Sequence, residues 1–194
     1  MLPDPHRFRD AIAAFDTANA QDPNIVAGEP AELVYARRMT DWLNKLYPDA
    51  DEILHLAARS QHIRRWMVPR SKYPITRAGY HQWRTFLYSF HADAAAEILR
   101  GVGYDEPTIS RVRSLLKKEK LKSDPEVQKL EDVICLVFLE SYFVEFAAKH
   151  DEEKVIGILR RTWKKMSEHA HAAALRLEMP PEARRLVEKA LSSE

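Results

Sequence analysis

The stretch that decides the fold is Val133-Ile-Cys-Leu-Val-Phe-Leu139, the longest uninterrupted apolar run in the chain. In a helix, successive side chains are separated by about 100°, so this run is apolar on every side of the helix axis. Such a helix is typical of the centre of a helical protein, where other helices surround it. The run is far too short to span a bilayer and therefore predicts a buried central helix.

Carboxylates flank the apolar run, with Glu131 and Asp132 before it and Glu140 after it. A buried carboxylate requires an arginine, a hydrogen-bond network or a metal ion, because an unpaired buried charge costs several kcal/mol. The alternative is that these side chains lie where the helix leaves the core. Cys135 lies inside the run, where a thiol is protonated and inert, so it is not expected to act as a nucleophile.

The rest of the chain is also predicted to be helical. Apolar residues recur at spacings of three and four, only five glycines occur, and Asn-Gly or Asp-Gly hairpin signals are missing from the sequence. We therefore predict an all-α fold, a single-domain helical bundle of about eight helices over residues 1–194. The predicted helices run from Pro5 to Gln21, Pro30 to Leu46, Asp51 to Trp66, Arg77 to Val102, Glu106 to Lys118, Ser123 to Lys149, Asp151 to Arg176, and onward from Pro180.

Composition narrows the function classes. The net charge of +1 predicts no general attraction to nucleic acid or to an anionic membrane. A single cysteine rules out an intramolecular disulfide and suits a reducing compartment. The N-terminal sequence MLPDPHRFRD lacks the apolar core of a signal peptide. We therefore expect a cytoplasmic protein without a membrane partner.

Residues 53–92 contain no Asp or Glu, although acids are common elsewhere in the chain. Unbalanced cations repel one another unless an anion binds, so this acid-free window predicts an anionic ligand. Arginine suits phosphate because its planar guanidinium pairs with two oxygens at once. The window's basic side chains are Arg59, Arg64, Arg65, Arg70, Lys72, Arg77, Arg84, His55, His62, His81 and His91.

Helical spacing groups these side chains into two stripes. On the predicted third helix, His55, Arg59, His62 and Trp66 share one face. On the predicted fourth helix the stripe is Arg77, His81, Arg84, Tyr88 and His91, beside an apolar stripe that should face the core. We expect the two stripes to line one cleft. The alternative is that each stripe is a solvated helix face.

A metal site is a further hypothesis, because histidine is the commonest metal ligand. His55 and His62 are two helical turns apart, about 10 Å, so both cannot bind one ion. One of them would have to join His91 and Asp132 from other helices. The alternative is that each histidine is structural and hydrogen-bonded.

Three segments are similar to the HD superfamily of all-helical, metal-dependent phosphohydrolases. They are His91-Ala-Asp-Ala-Ala-Ala-Glu-Ile-Leu, Gly103-Tyr-Asp105, and Asp124-Pro-Glu-Val-Gln-Lys-Leu-Glu-Asp132. The whole chain also resembles a family of uncharacterised bacterial and fungal proteins, through Gln61-His-Ile-Arg-Arg-Trp66 and Arg161-Thr-Trp-Lys-Lys-Met-Ser167. That family brings no assigned activity.

The HD resemblance implies an HD-like fold and a set of metal ligands. His55 or His62 would be the first metal histidine, Asp132 the last metal aspartate, and His91 the additional histidine of many members. The chain departs from the superfamily at its namesake His-Asp pair, which has no counterpart here, since the positions i and i+2 of His91 and Asp93 diverge on a helix.

These observations leave three functional hypotheses. The first is a metal-dependent phosphohydrolase acting on a phosphorylated small molecule or nucleotide, with Asp132 and His62 as catalytic residues. Its divalent metal would be bound by a subset of His55, His62, His91, Glu131 and Asp132, and its substrate by Arg59, Arg77, His81, Arg84 and Tyr88. The second is a non-catalytic module of the same fold that binds an anionic ligand. The third is RNA binding through Trp66, Tyr73, Tyr80 and Trp83.

Overall fold

A computed structural model describes residues 4–121 and 123–192 of the chain. These residues are mostly helical, which confirms the all-α prediction. They belong to two compact units, Met1–Val127 and Gln128–Glu194. The single domain over residues 1–194 stays a prediction. No helix within the described ranges is both long and apolar enough to cross a membrane.

The first unit contains five complete helices and a small hairpin. Its elements are α1 (Pro5–Asn19), β1 (Ile25–Val26), β2 (Glu29–Pro30), α2 (Ala31–Leu46), α3 (Glu52–Arg59), α4 (Arg77–Gly101) and α5 (Glu106–Leu116), with single helical turns at Arg65–Met67 and Arg70–Lys72. The antiparallel strands β1 and β2 are joined by Ala27 and Gly28, both with positive φ. This hairpin was not predicted, because its turn lacks the Asn-Gly or Asp-Gly signal.

Side-chain caps fix most of the helix starts. Asp4, Asp51, Thr76 and Asp105 each accept a hydrogen bond from a backbone N–H in the first turn of the helix that follows. Such a cap satisfies a donor that has no partner inside the helix. Because the cap is local, the start positions were predictable from the sequence.

The predicted third helix is wrong in its second half, because α3 ends at Arg59. The hydroxyl of Ser60 donates to the Leu56 carbonyl at 2.7 Å, and Arg64 then adopts a left-handed conformation with φ of 53°. The backbone N–H of Arg64 donates a hydrogen bond to Oδ1 of Asn19 at 3.1 Å. A hydrogen bond from the end of α1 therefore holds a turn where local spacing predicted more helix, and the stripe from His55 to Trp66 does not exist.

In the first unit, α1 packs against α2, α3 and α4, while α5 packs against α3 and α4. The core between them is formed by fully buried apolar side chains such as Phe15, Met39 and Leu54. The turn that follows α3 therefore lies close to both the end of α1 and the middle of α4.

Helix α6 (Pro125–Ser141) starts at the end of the first unit and continues through the second. The other helices of the second unit are α7 (Phe143–Ala148), α8 (Glu152–Trp163), α9 (Glu168–Ala174) and α10 (Pro181–Leu191). The predicted sixth and seventh helices are thus each interrupted, at Tyr142 and in the segment 164–167. Within this unit, α8 packs against α10 and α7.

The apolar run Val133–Leu139 is buried as predicted. Val133, Leu136 and Val137 have no exposed surface, and only Ile134 and Phe138 are partly exposed. The central segment of α6 is therefore a core element, as its uninterrupted apolar sequence requires.

Leu136→Ala is expected to lower the free energy of unfolding by about 2–5 kcal/mol, through lost burial and the cavity left behind. Urea denaturation followed by circular dichroism measures this loss. The matched control is Leu175→Ala, because Leu175 is exposed and its truncation should change stability little. A Leu136→Ala loss no larger than the control's would contradict the burial of this helix.

Candidate functional site

Three ionisable side chains of the first unit meet below its surface: Glu32, His62 and His91. We call them the histidine–glutamate cluster. Nδ1 of His62 lies 3.4 Å from Oε2 of Glu32, and the centroids of the two imidazole rings are 5.7 Å apart. His91 is buried, whereas the side chains of His62 and Glu32 keep 21% and 14% of their surface exposed. The cluster therefore reaches from the core to solvent.

Glu32 reaches the cluster from the first turn of α2. Its backbone N–H donates to Oδ2 of Asp22 at 3.0 Å, and Asp22 also accepts from the backbone and side chain of Asn24. Asp22 therefore caps α2 from ten residues away, where Pro30 at the N-cap position makes no side-chain cap. The segment between α1 and α2 is thereby tied to the turn that presents Glu32.

His62 lies in the turn after α3, stacked on Tyr35 of α2 with 3.9 Å between ring centroids. A guanidinium nitrogen of Arg65 lies 3.5 Å from Nδ1 of His62. An arginine can only donate, so Nδ1 is the acceptor and the imidazole proton resides on Nε2. Glu32 approaches the same Nδ1, and a protonated carboxyl group satisfies that contact better than a carboxylate.

His91 projects from the middle of α4 towards the turn after α3. Its Nδ1 donates to the Ile63 carbonyl at 2.9 Å, which fixes the tautomer because a carbonyl only accepts. Its Nε2 is buried and makes no hydrogen bond among the described residues. The pKa of His91 is lowered to about 3, mainly by burial of the ring and to a smaller extent by the neighbouring His62. His91 is therefore neutral at physiological pH.

Glu32 has the opposite perturbation. Burial raises its pKa to about 7, Arg65 partly opposes the rise, and Asp22 adds to it. Glu32 therefore exchanges its proton near neutral pH, which is the property required of a general acid or base. This property of Glu32 was not predicted from the sequence, because an acid in the first turn of a helix usually serves only to stabilise the helix dipole.

Three positively charged side chains lie close enough to His62 to lower its pKa. Burial lowers the pKa of His62 well below its ordinary value, and the charges of Arg65, Lys118 and Arg84 lower it further. We call these three partly exposed residues the cationic rim. The ring of Tyr88 lies 5.7 Å from the Arg84 guanidinium carbon and 5.6 Å from the Lys118 ammonium.

The predicted anion-binding residues have different positions in the structure. Arg84 and Tyr88 are at the rim, but Arg77 is exposed at the first residue of α4, and His81 is exposed beside Tyr80. Arg59 is buried and donates two hydrogen bonds to the Asp16 carboxylate, at 2.6 and 2.7 Å. Arg59 therefore connects α3 to α1, and assigning it to the anion cleft was wrong.

The predicted metal ligands also lie in different parts of the structure. His55 packs edge-on against Phe8, with 6.2 Å between ring centroids. In the second unit, Glu131 faces the Lys165 ammonium at 3.5 Å. Asp132 accepts from the Gln128 side chain at 2.9 Å and from the backbone and hydroxyl of Ser167 at 2.8 and 2.6 Å. Since Ser167 caps α9, these bonds tie α6 to the start of that helix.

Across residues 4–121 and 123–192, no group of three or more His, Cys, Asp or Glu side chains has the geometry to hold a metal ion. The positive charges of the rim moreover act at His62 and oppose the binding of a metal ion there. The described donor set therefore does not fit the divalent ion implied by the HD resemblance.

Sequence reasoning missed Glu32 and Lys118, and it placed Arg65 only in the general acid-free window. Glu32 lies 30 residues before His62, and Lys118 lies 27 residues after His91. Spacing along a single helix cannot reveal such partners. The available signal was the phrase Gln61–Trp66, which contains both His62 and Arg65.

A family model described as a domain of unknown function, DUF4202, matches residues 9–187, and the chain belongs to that family. This confirms the predicted membership of an uncharacterised domain family. The search of curated proteins and the search of solved structures found no match.

The cluster predicts a specific dependence of stability on pH. His91 is neutral in the folded protein, but in the unfolded chain it takes up a proton below pH 6.5. This residue therefore lowers the free energy of unfolding by about 1.4 kcal/mol for each unit by which the pH falls below 6.5. Glu32 acts in the opposite sense, because its raised pKa adds stability as the pH falls from 7 towards 4.5.

We expect His91→Asn, which keeps a donor for the Ile63 carbonyl, to make the loss of stability in acid shallower. Glu32→Gln should make it steeper. The measurement is the free energy of unfolding of each variant between pH 7 and 5.5. Parallel pH profiles for the wild type and both variants would contradict the assigned protonation states.

Proposed function

For this member of the DUF4202 family, we propose that the histidine–glutamate cluster binds a phosphate-bearing small molecule or nucleotide, with the phosphate against the cationic rim. The observation that supports this most directly is that the positive charges of Arg65, Arg84 and Lys118 all lower the pKa of His62, a ring that burial already keeps neutral. Cations that converge on an uncharged group are stabilised when an anion joins them.

The chemistry of the rim suits phosphate in particular. Two of its three cations are arginines, whose planar donors match phosphate oxygens in pairs. Neutral His62 adds an Nε2–H donor, because its Nδ1 is occupied as an acceptor.

The ring of Tyr88 offers an apolar surface next to Arg84 and Lys118. An aromatic face beside two cations suits a nucleotide, whose base stacks while its phosphate pairs with the cations. A nucleotide is therefore the ligand class favoured within this proposal.

A second candidate function is hydrolysis of the phosphate ester at the same site, which the near-neutral pKa of Glu32 favours. Water would attack phosphorus, and the leaving oxygen would take the Nε2 proton of His62. Glu32 would pass its own proton to Nδ1 of His62, which leaves a neutral imidazole with its proton on Nδ1. The proton released by the attacking water would go to the Glu32 carboxylate, and proton exchange with solvent would return the imidazole proton from Nδ1 to Nε2, so that both residues end the turnover in their starting states.

Binding is tested with Arg84→Ala, using isothermal titration with adenosine monophosphate and with inorganic phosphate. The variant should bind about 1–3 kcal/mol more weakly, the value of a charged hydrogen bond. The matched control is Arg77→Ala, which removes an exposed arginine at the start of the same helix. Equal affinities for the wild type and Arg84→Ala, or an equal loss in the control, would overturn the proposed site.

Hydrolysis is tested with Glu32→Gln on p-nitrophenyl phosphate. If Glu32 is the proton donor, the wild-type rate should fall above about pH 7 as the carboxyl group ionises. The variant should lose roughly a hundredfold or more of the rate, the usual contribution of a general acid, while still binding phosphate. Wild-type protein that binds phosphate without releasing p-nitrophenol would leave the chain as a binding module only.

A further inference from the structure

A second surface of the first unit exposes large apolar side chains, independently of the histidine–glutamate cluster. Ile75 is 97% exposed, Met67 55%, Phe86 50% and Tyr80 42%. Half of the exposed large apolar residues found in the described chain thus lie within 20 residues of sequence, between positions 67 and 86. Tyr80 and Phe86 lie on α4, and the segment that holds Met67 and Ile75 packs on the same helix through the carbonyls of Val68 and Pro74. We call these four residues the α4 face, and such a concentration indicates an interaction surface.

The loop that presents Ile75 is held in place. The guanidinium of Arg70 donates to the carbonyls of Tyr73 and Pro74, each at 2.8 Å, and to that of Thr76 at 3.5 Å. The loop also packs tightly on α4, where a Cβ at Gly79 would lie 2.2 Å from the Pro74 carbonyl oxygen. Ile75 is therefore exposed by a fixed loop, which reduces the entropy lost on binding.

Beneath the α4 face lies a small apolar core of Val68, Trp83 and Leu87, with Tyr73 and Phe90 packed against it. The indole nitrogen of Trp83 donates to the Val68 carbonyl at 2.8 Å. Trp83 is thus a core residue, and including it in an RNA-stacking surface was wrong. The rings of Phe86 and Phe90 stack at 6.2 Å, which supports the exposed Phe86 from below.

Within the window of sequence that contains the α4 face, the charged side chains are all basic. Lys72 and Arg77 are exposed at the border of the α4 face, and the whole window of residues 53–92 contains no carboxylate. Apolar, aromatic and arginine side chains without acids are typical of the centre of a protein–protein interface. A complementary partner therefore has apolar side chains flanked by carboxylates.

We propose that the α4 face docks an acidic protein segment, one that covers Ile75 and Phe86 with apolar or aromatic side chains and pairs its carboxylates with Lys72 and Arg77. A second copy of this chain fits less well, because two identical basic borders would meet. Single-stranded nucleic acid fits less well too, since the most exposed groups, Ile75 and Met67, are aliphatic and offer no ring for base stacking.

The test is selection of a random twelve-residue peptide library displayed on phage against the purified full-length chain. We expect enriched peptides to combine Asp or Glu with aromatic or large apolar residues. The affinity of a synthetic enriched peptide is then measured by fluorescence anisotropy. Ile75→Ser and Phe86→Ser should each weaken binding roughly tenfold or more, as loss of a central interface residue does.

The charge requirement is tested by the double variant Lys72→Glu and Arg77→Glu, which should also lose affinity and should make binding less sensitive to salt. Leu175→Ser is the matched control, because Leu175 is as exposed as Phe86 but lies in the second unit. It should bind the peptide like the wild type. All five substituted positions are exposed, and circular dichroism verifies that the variants remain folded.

Several outcomes would overturn the proposal. They are the absence of enrichment, enrichment of peptides without acidic residues, and binding that Phe86→Ser leaves unchanged. Two further probes test nucleic acid and a membrane surface as alternative binding partners: a twenty-residue oligouridylate and phosphatidylserine vesicles. If either binds in a manner lost in Phe86→Ser while no peptide does, the face belongs to nucleic acid or to a membrane surface instead. A dimer abolished by Phe86→Ser would assign the face to a second copy.

Discussion

The turn between α3 and α4 is the constraint on which the rest of the site depends. It is held from two sides, by the Asn19 side chain that accepts from the Arg64 backbone and by the Nδ1–H of His91 that donates to the Ile63 carbonyl. These two hydrogen bonds end α3 early and turn the chain back towards α2 and α4. Because of that reversal, His62 meets Glu32 and His91 instead of continuing a helix face with Arg59.

Burial then determines the protonation of the cluster. A partly dehydrated site penalises charge, so the two histidines stay neutral and Glu32 keeps its proton to near neutral pH. The three cations of the rim remain outside, where solvent still reaches them. An uncharged, hydrogen-bonding interior behind a positive entrance is an arrangement suited to an anion that brings or takes a proton, and a phosphate ester fits that description.

The arginines of the acid-free window have several tasks in the fold. Arg59 pairs with Asp16, a residue 43 positions away, while Arg70 closes the loop beneath Ile75. The charges of Arg65 and Arg84 lower the pKa of His62. The acid-free window therefore contributes to two positive regions: it supplies Arg65 and Arg84 of the cationic rim, and Lys72 and Arg77 at the border of the α4 face. The first suits a small anion, and the second suits an acidic partner.

The sequence by itself determined the helical class, most helix starts and the burial of Val133–Leu139, because apolar spacing and caps act over a few residues. It also indicated that His62, His91 and Arg84 belong to a polar site. Only the tertiary structure decided that Glu32 and Lys118 complete that site, that Arg59 does not belong to it, and that the third helix ends at Arg59. Those outcomes depend on hydrogen bonds and charges between segments tens of residues apart, and local periodicity contains no information about such partners.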